Sequence, residues 1–278
     1  MKRIFLLWAI ACSCMAQEIQ DVYVVNSPNT STAGKSWGQA VSEGLIDGYS
    51  FIEKFGEIES ITTSEDPADV WGFGGLYTNS TTADIGQISS TDATDLMAIE
   101  VQGLGASTNL ITQSVTMNGT NVVSLSTNLL SVFRMINVGS TNVAGVIFAS
   151  TNGTVVTAGT PADAGVRAQI DNGHNQTMMA IYKIPFGKTG YLWKWKANVL
   201  RSGGATAYAD FTLRARPEGQ VYAVKDNRTA VSGGSSSFES PFPFALSFSA
   251  GTDILVRCEE VSATVGVSAG FTILLKDD

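Results

Sequence analysis

Hydrophobic and polar residues alternate with a period of two along much of the C-terminal half of the chain. In residues 191–199 the large apolar side chains occupy odd positions, while Lys194, Lys196 and Asn198 occupy even positions. The same alternation recurs in three further segments: residues 210–216, 254–259 and 265–273. Because successive side chains of a strand point to opposite faces, these segments are predicted to be β-strands with one buried and one solvated face.

From Met97 onward, short apolar runs are separated by turn residues at intervals typical of a sandwich or barrel. Consecutive strands without intervening helical patterns exclude a doubly wound parallel sheet. We therefore predict an all-β fold, an antiparallel β-sandwich with a jelly-roll-like C-terminal domain and an extended N-terminal arm. The C-terminal domain has room for roughly eight strands, which is the number in a jelly roll.

Asn-Gly pairs favour two-residue type I′ turns, which connect antiparallel strands. Asn118-Gly119 and Asn152-Gly153 lie between apolar runs, and each predicts a hairpin. Other turn-rich segments are interpreted as strand connections: Asn172-Gly173, Glu218-Gly219 and residues 250–253, with Ser232 to Ser237 as a mobile loop.

These patterns divide the chain into four segments. Residues 1–16 are a signal-like or hydrophobic segment, and residues 17–60 are an extended arm with one short helix over residues 45–55. Residues 61–165 form either a β-rich domain or extra strands of the same sandwich. Residues 166–278 form the jelly-roll-like sandwich.

The first 16 residues resemble a signal peptide, with basic Lys2 and Arg3, an apolar run, and small residues before Gln17. A buried amphipathic arm and a misassigned start codon are alternative interpretations. The segment is shorter than the ~20 apolar residues that span a bilayer, and no later segment has a transmembrane pattern, so no membrane partner is predicted.

Charged residues make up only 15% of the chain, against a typical share of about 25%, and the formal net charge is −8. A surface with this charge is unsuited to phosphate backbones, so no nucleic-acid partner is predicted. Of the three cysteines, Cys12 and Cys14 lie in the signal-like segment. Cys258 shares a strand face with Ile254 and Val256, which predicts an inert core thiol.

The chain contains no recognisable catalytic motif. His174 is the only histidine, which excludes sites that need two imidazoles, and its polar surroundings predict an exposed loop residue. The glycine-rich residues 72–75 are not followed by the Lys-Ser/Thr pair of a phosphate loop, so a tight turn is predicted there. We accordingly predict a non-enzymatic protein without catalytic, cofactor or metal site.

Carboxylates were considered because glycosidases need only a suitably spaced pair. Three clusters are present: Glu65 with Asp66 and Asp69; Asp84 with Asp92 and Asp95; and Glu259 with Glu260. Each cluster is predicted in a loop or at a strand end, where solvated acids are ordinary. Asp92 and Asp95 could bind Ca²⁺ through loop oxygens, but the spacing of an EF-hand is absent.

Trp193 and Trp195 are the residues whose side chains could stack on sugars. Their alternation with Lys194 and Lys196 favours a buried stripe of the core instead. The two lysines are then predicted on the solvated face.

Several segments, in order, resemble a family of virion structural proteins from marine tailed bacteriophages. They are residues 51–56 (FIEKFG), 64–77 (SEDPADVWGFGGLY), 88–92 (ISSTD), 101–104 (VQGL), 115–120 (VTMNGT), 182–191 (YKIPFGKTGY), 213–217 (LRARP) and 251–254 (GTDI). The resemblance covers about residues 51 to 278. The chain departs from the family pattern at its signal-like N-terminus and at residues 58–60.

The resemblance implies a structural component of a tailed-phage particle, such as a capsid decoration, a head fibre, or a neck or tail component. It assigns no residue to catalysis or partner binding. Our first hypothesis is a homo-oligomeric virion protein that contacts other virion proteins, such as the major capsid protein, because the edge strands of a sandwich must be paired, covered or charged and the edges here carry few charges. The alternative is a secreted or cell-envelope carbohydrate-binding module, which the signal-like segment and the tryptophans favour. A possible host-surface glycan is common to both hypotheses. A glycan hydrolase that uses loop carboxylates is a third, weaker hypothesis.

Overall fold

The computed structural model describes residues 35–107, 109–200, 206–232 and 235–278. These ranges contain one α-helix, α1 (Trp37–Ser42), and one turn of 3-10 helix, Asp163–Gly165. The strands are β1 (Tyr49–Ile61), β2 (Ala68–Asp69), β3 (Ile85–Ser90), β4 (Ala98–Leu104), β5 (Leu110–Thr116), β6 (Val123–Leu129), β7 (Ser131–Asn137), β8 (Ile147–Thr151), β9 (Val156–Thr157), β10 (Thr160–Pro161), β11 (Val166–Ile170), β12 (Ile181–Lys183), β13 (Lys188–Leu200), β14 (Ala207–Arg216), β15 (Ala223–Ser232), β16 (Ser235–Phe248), β17 (Asp253–Val261) and β18 (Val265–Asp277). The predicted all-β fold class is confirmed.

Eight strands form a jelly roll of two antiparallel sheets, with the strand orders β1-β18-β13-β16 and β12-β17-β14-β15. Taken in chain order, the first of the eight pairs with the last and the second with the seventh. The third pairs with the sixth and the fourth with the fifth. This nested pairing produces the two Greek keys of a jelly roll, so the predicted jelly-roll sandwich is confirmed.

The first strand of the jelly roll comes from the segment predicted to be an arm. β1 pairs antiparallel with β18, from Tyr49 opposite Lys276 to Ile61 opposite Val265. The helix predicted over residues 45–55 is wrong, because these residues form a turn and the start of β1. The observed helix, α1, begins earlier, where the Ser36 hydroxyl caps its first turn. The signal-like segment and residues 17–34 of the arm lie outside the described residues.

Strands β3 to β11 form a second, smaller sandwich between the first and second strands of the jelly roll. Its two sheets have the strand orders β11-β8-β3-β6 and β5-β4-β7, and β9 and β10 form a separate ribbon. The ladders of these nine strands join them only to one another. We call this unit the inserted sandwich.

Each sandwich has its own cluster of buried apolar side chains. In the jelly roll the largest fully buried members are Trp195, Phe211 and Phe271. In the inserted sandwich the cluster includes Ile88, Ile99 and Met135, all with no exposed surface. The driving force for folding is therefore divided between two cores.

The two clusters exchange members at their boundary. Leu104 and Phe133 come from strands of the inserted sandwich but pack in the jelly-roll cluster. Ile181 and Leu255 come from the jelly roll but pack in the cluster of the inserted sandwich. The side chains of each unit thus complete the core of the other.

The predicted buried faces agree with the structure in β14, β17 and β18, but the opposite faces are not fully solvated, because Thr212 and Leu255 are also buried. Their buried positions include Phe211, Leu213, Ile254, Val256, Phe271 and Ile273. Cys258 has no exposed surface, and burial raises the pKa of its thiol to about 12. A thiol that stays protonated at neutral pH is a poor nucleophile, as predicted for a core residue.

The prediction is wrong for Trp193, which is 46% exposed, whereas Trp195 is fully buried. The cause is a β-bulge in β13. Leu192 lies opposite Ile273 and Lys194 lies opposite Thr272, so Trp193 is an extra residue without a partner in β18. One extra residue shifts the alternation of side chains by one position. Odd-numbered residues before the bulge therefore lie on the opposite face of the sheet from odd-numbered residues after it.

Neither Asn-Gly pair closes the hairpin predicted for it. Both pairs form turns, with positive φ at Gly119 and Gly153. However, the strands flanking Gly119, β5 and β6, belong to different sheets, and β8, before Gly153, pairs with β3 and β11. The Asn-Gly pairs therefore form turns, but they do not determine which strands pair with one another.

A two-residue hairpin turn occurs instead at Ala158–Gly159, between β9 and β10. Both residues have positive φ, 47° and 83°, as a type I′ turn requires. The predicted loop from Ser232 to Ser237 is also corrected, because Ser236 and Ser237 lie in β16, opposite Val199 and Asn198. Residues 233–234 lie outside the described residues.

Candidate functional site

A cavity of about 560 Å³ lies where the end of β1, the loop after it and the loop after β11 meet. We call it the acidic cavity because four carboxylates line it: Glu57, Glu59, Glu65 and Asp171. Residues 72–75 form a second wall, with positive φ at Gly74 and Gly75. The predicted tight turn is therefore present, and it shapes this cavity.

Asp171 is the most constrained of these acids. Its Oδ1 accepts a hydrogen bond from the Gln169 side-chain amide. Burial raises the pKa of Asp171, an effect that this hydrogen bond opposes. Gly72 packs against the carboxylate, since a Cβ added there would lie 2.6 Å from its Oδ2.

His174 also lines the acidic cavity and is partly buried, in contrast to the exposed loop residue that we predicted. Its Nδ1 is buried and has no hydrogen-bond partner among the described residues. Its backbone N–H donates to the Asp171 carbonyl at 3.0 Å, which holds the loop beside the carboxylate. Sequence reasoning missed this pairing of His174 with Asp171, although only three positions separate the residues.

Glu65 also lines the acidic cavity and accepts hydrogen bonds from its own loop. Its Oε2 accepts hydrogen bonds from the Thr62 backbone N–H and hydroxyl, both at 2.8 Å, and these bonds lower the pKa of Glu65. Within the described ranges, no group of three His, Cys, Asp or Glu residues could hold a metal ion.

Asp92 and Asp95, the pair considered for Ca²⁺, have separate structural roles. Asp92 accepts hydrogen bonds from Thr94 in an exposed turn. Asp95 is fully buried and accepts from the backbone N–H groups of Ala144 and Gly145, at 2.8 and 3.1 Å. The prediction of a solvated acid is wrong for Asp95, because these bonds anchor the loop before β8.

Asp69 is also buried rather than solvated. Its two oxygens accept from Arg257 at 2.6 and 3.2 Å, and Oδ2 also accepts from the Tyr77 backbone N–H at 2.7 Å. Glu259 pairs with Arg214 at 2.7 Å, and Glu260 accepts from the Tyr208 hydroxyl at 2.8 Å. These acids hold the fold together and do not converge on one site.

Two exposed aromatic residues lie near one edge of the jelly roll, in β13 and β16. β16 is the last strand of its sheet, and its register with β13 jumps from Pro241, opposite Lys194, to Leu246, opposite Leu192. Residues 242–245 therefore bulge opposite Trp193. Phe244 in this bulge is 88% exposed. We call Trp193 and Phe244 the aromatic edge.

Comparisons with known proteins leave the chain without an assigned relative. No protein-family model matches it, and no curated protein matches it. No helix among the described residues is long and apolar enough to cross a membrane.

Among solved structures, the chain has weak likenesses to structures from infectious bursal disease virus. The VP2 subviral particle is 10% identical, with 84% of this chain and 77% of that chain covered, and has a TM-score of 0.18. Structures of the Gt and Gx strains are 10% and 9% identical, cover 84% of this chain and 82% of theirs, and have TM-scores of 0.13 and 0.12. Scores this low carry no argument about fold or function.

Proposed function

We propose that the protein is a non-enzymatic structural component of a tailed-bacteriophage particle, a capsid decoration, head fibre or similar surface component that acts as a homo-oligomer. The virion is its proposed location, and other virion proteins, such as the major capsid protein, are its proposed partners. The sequence resemblance to marine phage virion proteins suggests this role. The aromatic edge is the structural observation that supports it.

The argument for self-association starts from β16, an edge strand with an uncovered aromatic side chain. Proteins normally pair, cover or charge such edges, because exposed strand edges recruit other chains. Here Pro241 and Pro243 limit further pairing of the strand, but Phe244 and Trp193 remain exposed. A second copy of the chain packed on the aromatic edge would bury both rings.

Light scattering coupled to size-exclusion chromatography tests this assembly. We expect the wild-type protein to be an oligomer and Phe244→Ser to shift it toward monomer. Because Phe244 is 88% exposed, this change leaves the fold intact, which circular dichroism can verify. The control is Val155→Ser, which removes an exposed apolar side chain, 72% exposed, from the inserted sandwich.

The virion role is tested by adding the protein to phage particles that lack it. Co-sedimentation that Phe244→Ser weakens and Val155→Ser does not would support the proposal. A wild-type protein that is monomeric and does not bind such particles would contradict it.

The exposure of Trp193 also favours a second candidate function, carbohydrate binding at a secreted or cell-envelope location. An exposed aromatic ring beside polar residues is suited to stacking on sugars, and Lys194 and Lys196 lie on the same strand. A glycan array, with tryptophan fluorescence of Trp193→Ala against wild type, tests this function. An array without hits and an unchanged fluorescence signal on adding host polysaccharide would exclude it.

A further inference from the structure

A second cleft, of about 360 Å³, separates β1 of the jelly roll from β4, β5 and β7 of the inserted sandwich. Small-molecule sites have volumes of about 300–1,000 Å³. We call it the cationic cleft, and the side chains that matter most are Phe51, Lys54, Gln102, Phe133, Arg134 and Tyr182. The cleft shares no lining residue with the acidic cavity.

Lys54 is the unusual residue of the cationic cleft. It is only 6% exposed, and its ammonium donates a hydrogen bond to the Phe133 carbonyl across the boundary between the sandwiches. An ammonium has three donors, so this bond uses only one of them. Burial, with a smaller contribution from Arg134, lowers the pKa of Lys54 to about 7. A cation in such surroundings is normally paired with an anion.

Neither Lys54 nor Arg134 forms an ion pair with any carboxylate in the part of the chain that the structure describes. Glu53 is the acidic residue that lines the cleft, and its carboxylate is engaged by Lys196 at 2.8 Å. Glu100, on neighbouring β4, accepts from Gln102 at 2.8 Å. The Arg134 guanidinium lies over the Phe55 ring, 5.7 Å from its centroid. Among the described residues, the cleft therefore has two cations without a carboxylate partner, in a protein of net charge −8.

Aromatic rings provide the apolar part of the cleft. The Phe133 and Tyr182 rings lie 4.4 Å apart between centroids, and Phe51 is fixed by edge contact with Trp37 at 6.1 Å. Tyr182 is 2% exposed, and its buried hydroxyl has no hydrogen-bond partner among the described residues. Polar groups of this kind are rare in folded proteins and call for an explanation.

We propose that the cationic cleft binds a small monocarboxylate built on a single ring, with its carboxylate paired to Lys54 and Arg134. The planar guanidinium of Arg134 suits a carboxylate, which it can bind through two parallel hydrogen bonds. Lys54 adds a desolvated point charge, and the aromatic side chains pack against the ring of the ligand. This site does not depend on the proposed assembly through the aromatic edge.

Saturation-transfer difference NMR on the full chain at pH 6.5 tests the site, with benzoate and glucuronate as probes. Benzyl alcohol and glucose are matched controls that keep the ring but lack the carboxylate. We expect at least one acid to bind with a dissociation constant of about 1 mM or tighter, and its neutral analogue to bind at least tenfold more weakly. The acid that binds distinguishes a flat aromatic ligand from a sugar acid.

Three variants assign the binding to the cleft. Lys54→Met and Arg134→Gln are each expected to weaken binding of the acid at least tenfold, whereas Lys194→Met, which removes an exposed lysine paired with Glu239, leaves it unchanged. Arg134 is only partly buried, so its variant remains informative if Lys54→Met fails to fold. Absence of binding by both acids, equal binding of the neutral analogues, tighter binding of inorganic phosphate, or unchanged binding by Arg134→Gln would each overturn the proposal.

Discussion

Several single residues of this protein carry charge in places where water does not reach. Asp69 and Asp253 are at most 2% exposed, and each is held by arginine: Asp69 by Arg257, and Asp253 by Arg216 with Lys183 on its other oxygen. Such pairs add little net stability compared with apolar residues, but loss of one partner leaves an uncompensated buried charge. They are therefore points at which one substitution has a large effect.

Arg257→Met is expected to lower the free energy of unfolding at pH 7 by about 3–5 kcal/mol. The substitution removes the guanidinium that pairs with Asp69, and burial already raises the pKa of this carboxyl. The loss of stability should therefore become smaller at acidic pH, where the carboxyl is protonated. Urea denaturation measures the effect. The matched control is Lys196→Met, which breaks an exposed pair with Glu53 and should cost less than about 1 kcal/mol.

The buried Lys54 predicts that the free energy of unfolding depends on pH through a base rather than an acid. Its folded-state pKa is about 7, whereas an unfolded lysine titrates near about 10.4. Between these values the unfolded chain binds more protons, so the contribution of Lys54 to stability rises with pH. Arg134 and Glu53 are the charged groups beside it in the cleft.

The measurement is the free energy of unfolding of the wild type minus that of Lys54→Met at two pH values. From pH 7.5 to 9.5 this difference should increase by about 2 kcal/mol. A flat difference would show that Lys54 keeps a solvated pKa in the folded protein, and a difference that falls with pH would show that folding raises the pKa of Lys54.

At the residue scale, sequence reasoning succeeded where the period of two is unbroken. Cys258 is an example, since its neighbours at 254 and 256 define its face. It failed for Trp193, because a bulge depends on the partner strand and leaves no mark in the local pattern. It also missed Lys54, although Ile58 lies four positions along the same strand and therefore on the same buried face.

At the scale of elements, turns were predicted more reliably than the pairing of the strands beside them. Asn and Gly tolerate positive φ, so Gly119 and Gly153 do form turns. The choice of partner strand depends on the register of whole sheets and is not encoded in two residues. The real two-residue hairpin at Ala158–Gly159 lacks the Asn-Gly signal altogether.

Gly159→Ala tests the importance of that hairpin. The residue has φ of 83°, and a Cβ there would lie 1.7 Å from the carbonyl oxygen of Ser90, a backbone atom that cannot move away alone. We expect a loss of about 3 kcal/mol or more in thermal or urea unfolding. Gly153→Ala, at φ of 77° but with open space around it, should cost only about 1–2 kcal/mol; equal losses would argue against the close approach.

At the scale of the whole molecule, the jelly roll is interrupted after its first strand by the inserted sandwich. The sequence predicted the jelly roll because most of its strands are consecutive after residue 180. It could not place β1 there, since pairing of β1 with β18 joins residues more than 200 positions apart. Long-range pairing of this kind is decided by burial across both sheets rather than by local pattern.

Because the two cores exchange side chains, the two sandwiches should unfold together. Calorimetry is expected to show a single transition with equal calorimetric and van't Hoff enthalpies. Leu255→Ala, a change in a jelly-roll strand whose side chain packs in the inserted sandwich, should lower the stability by about 2–5 kcal/mol and keep the transition single. The control Val221→Ala, at a position 83% exposed, should change the stability by less than about 0.5 kcal/mol.

The contradicting outcome is a Leu255→Ala variant that shows two transitions, of which only one is shifted. The sandwiches would then be independent folding units, and the exchange of core residues would not couple them.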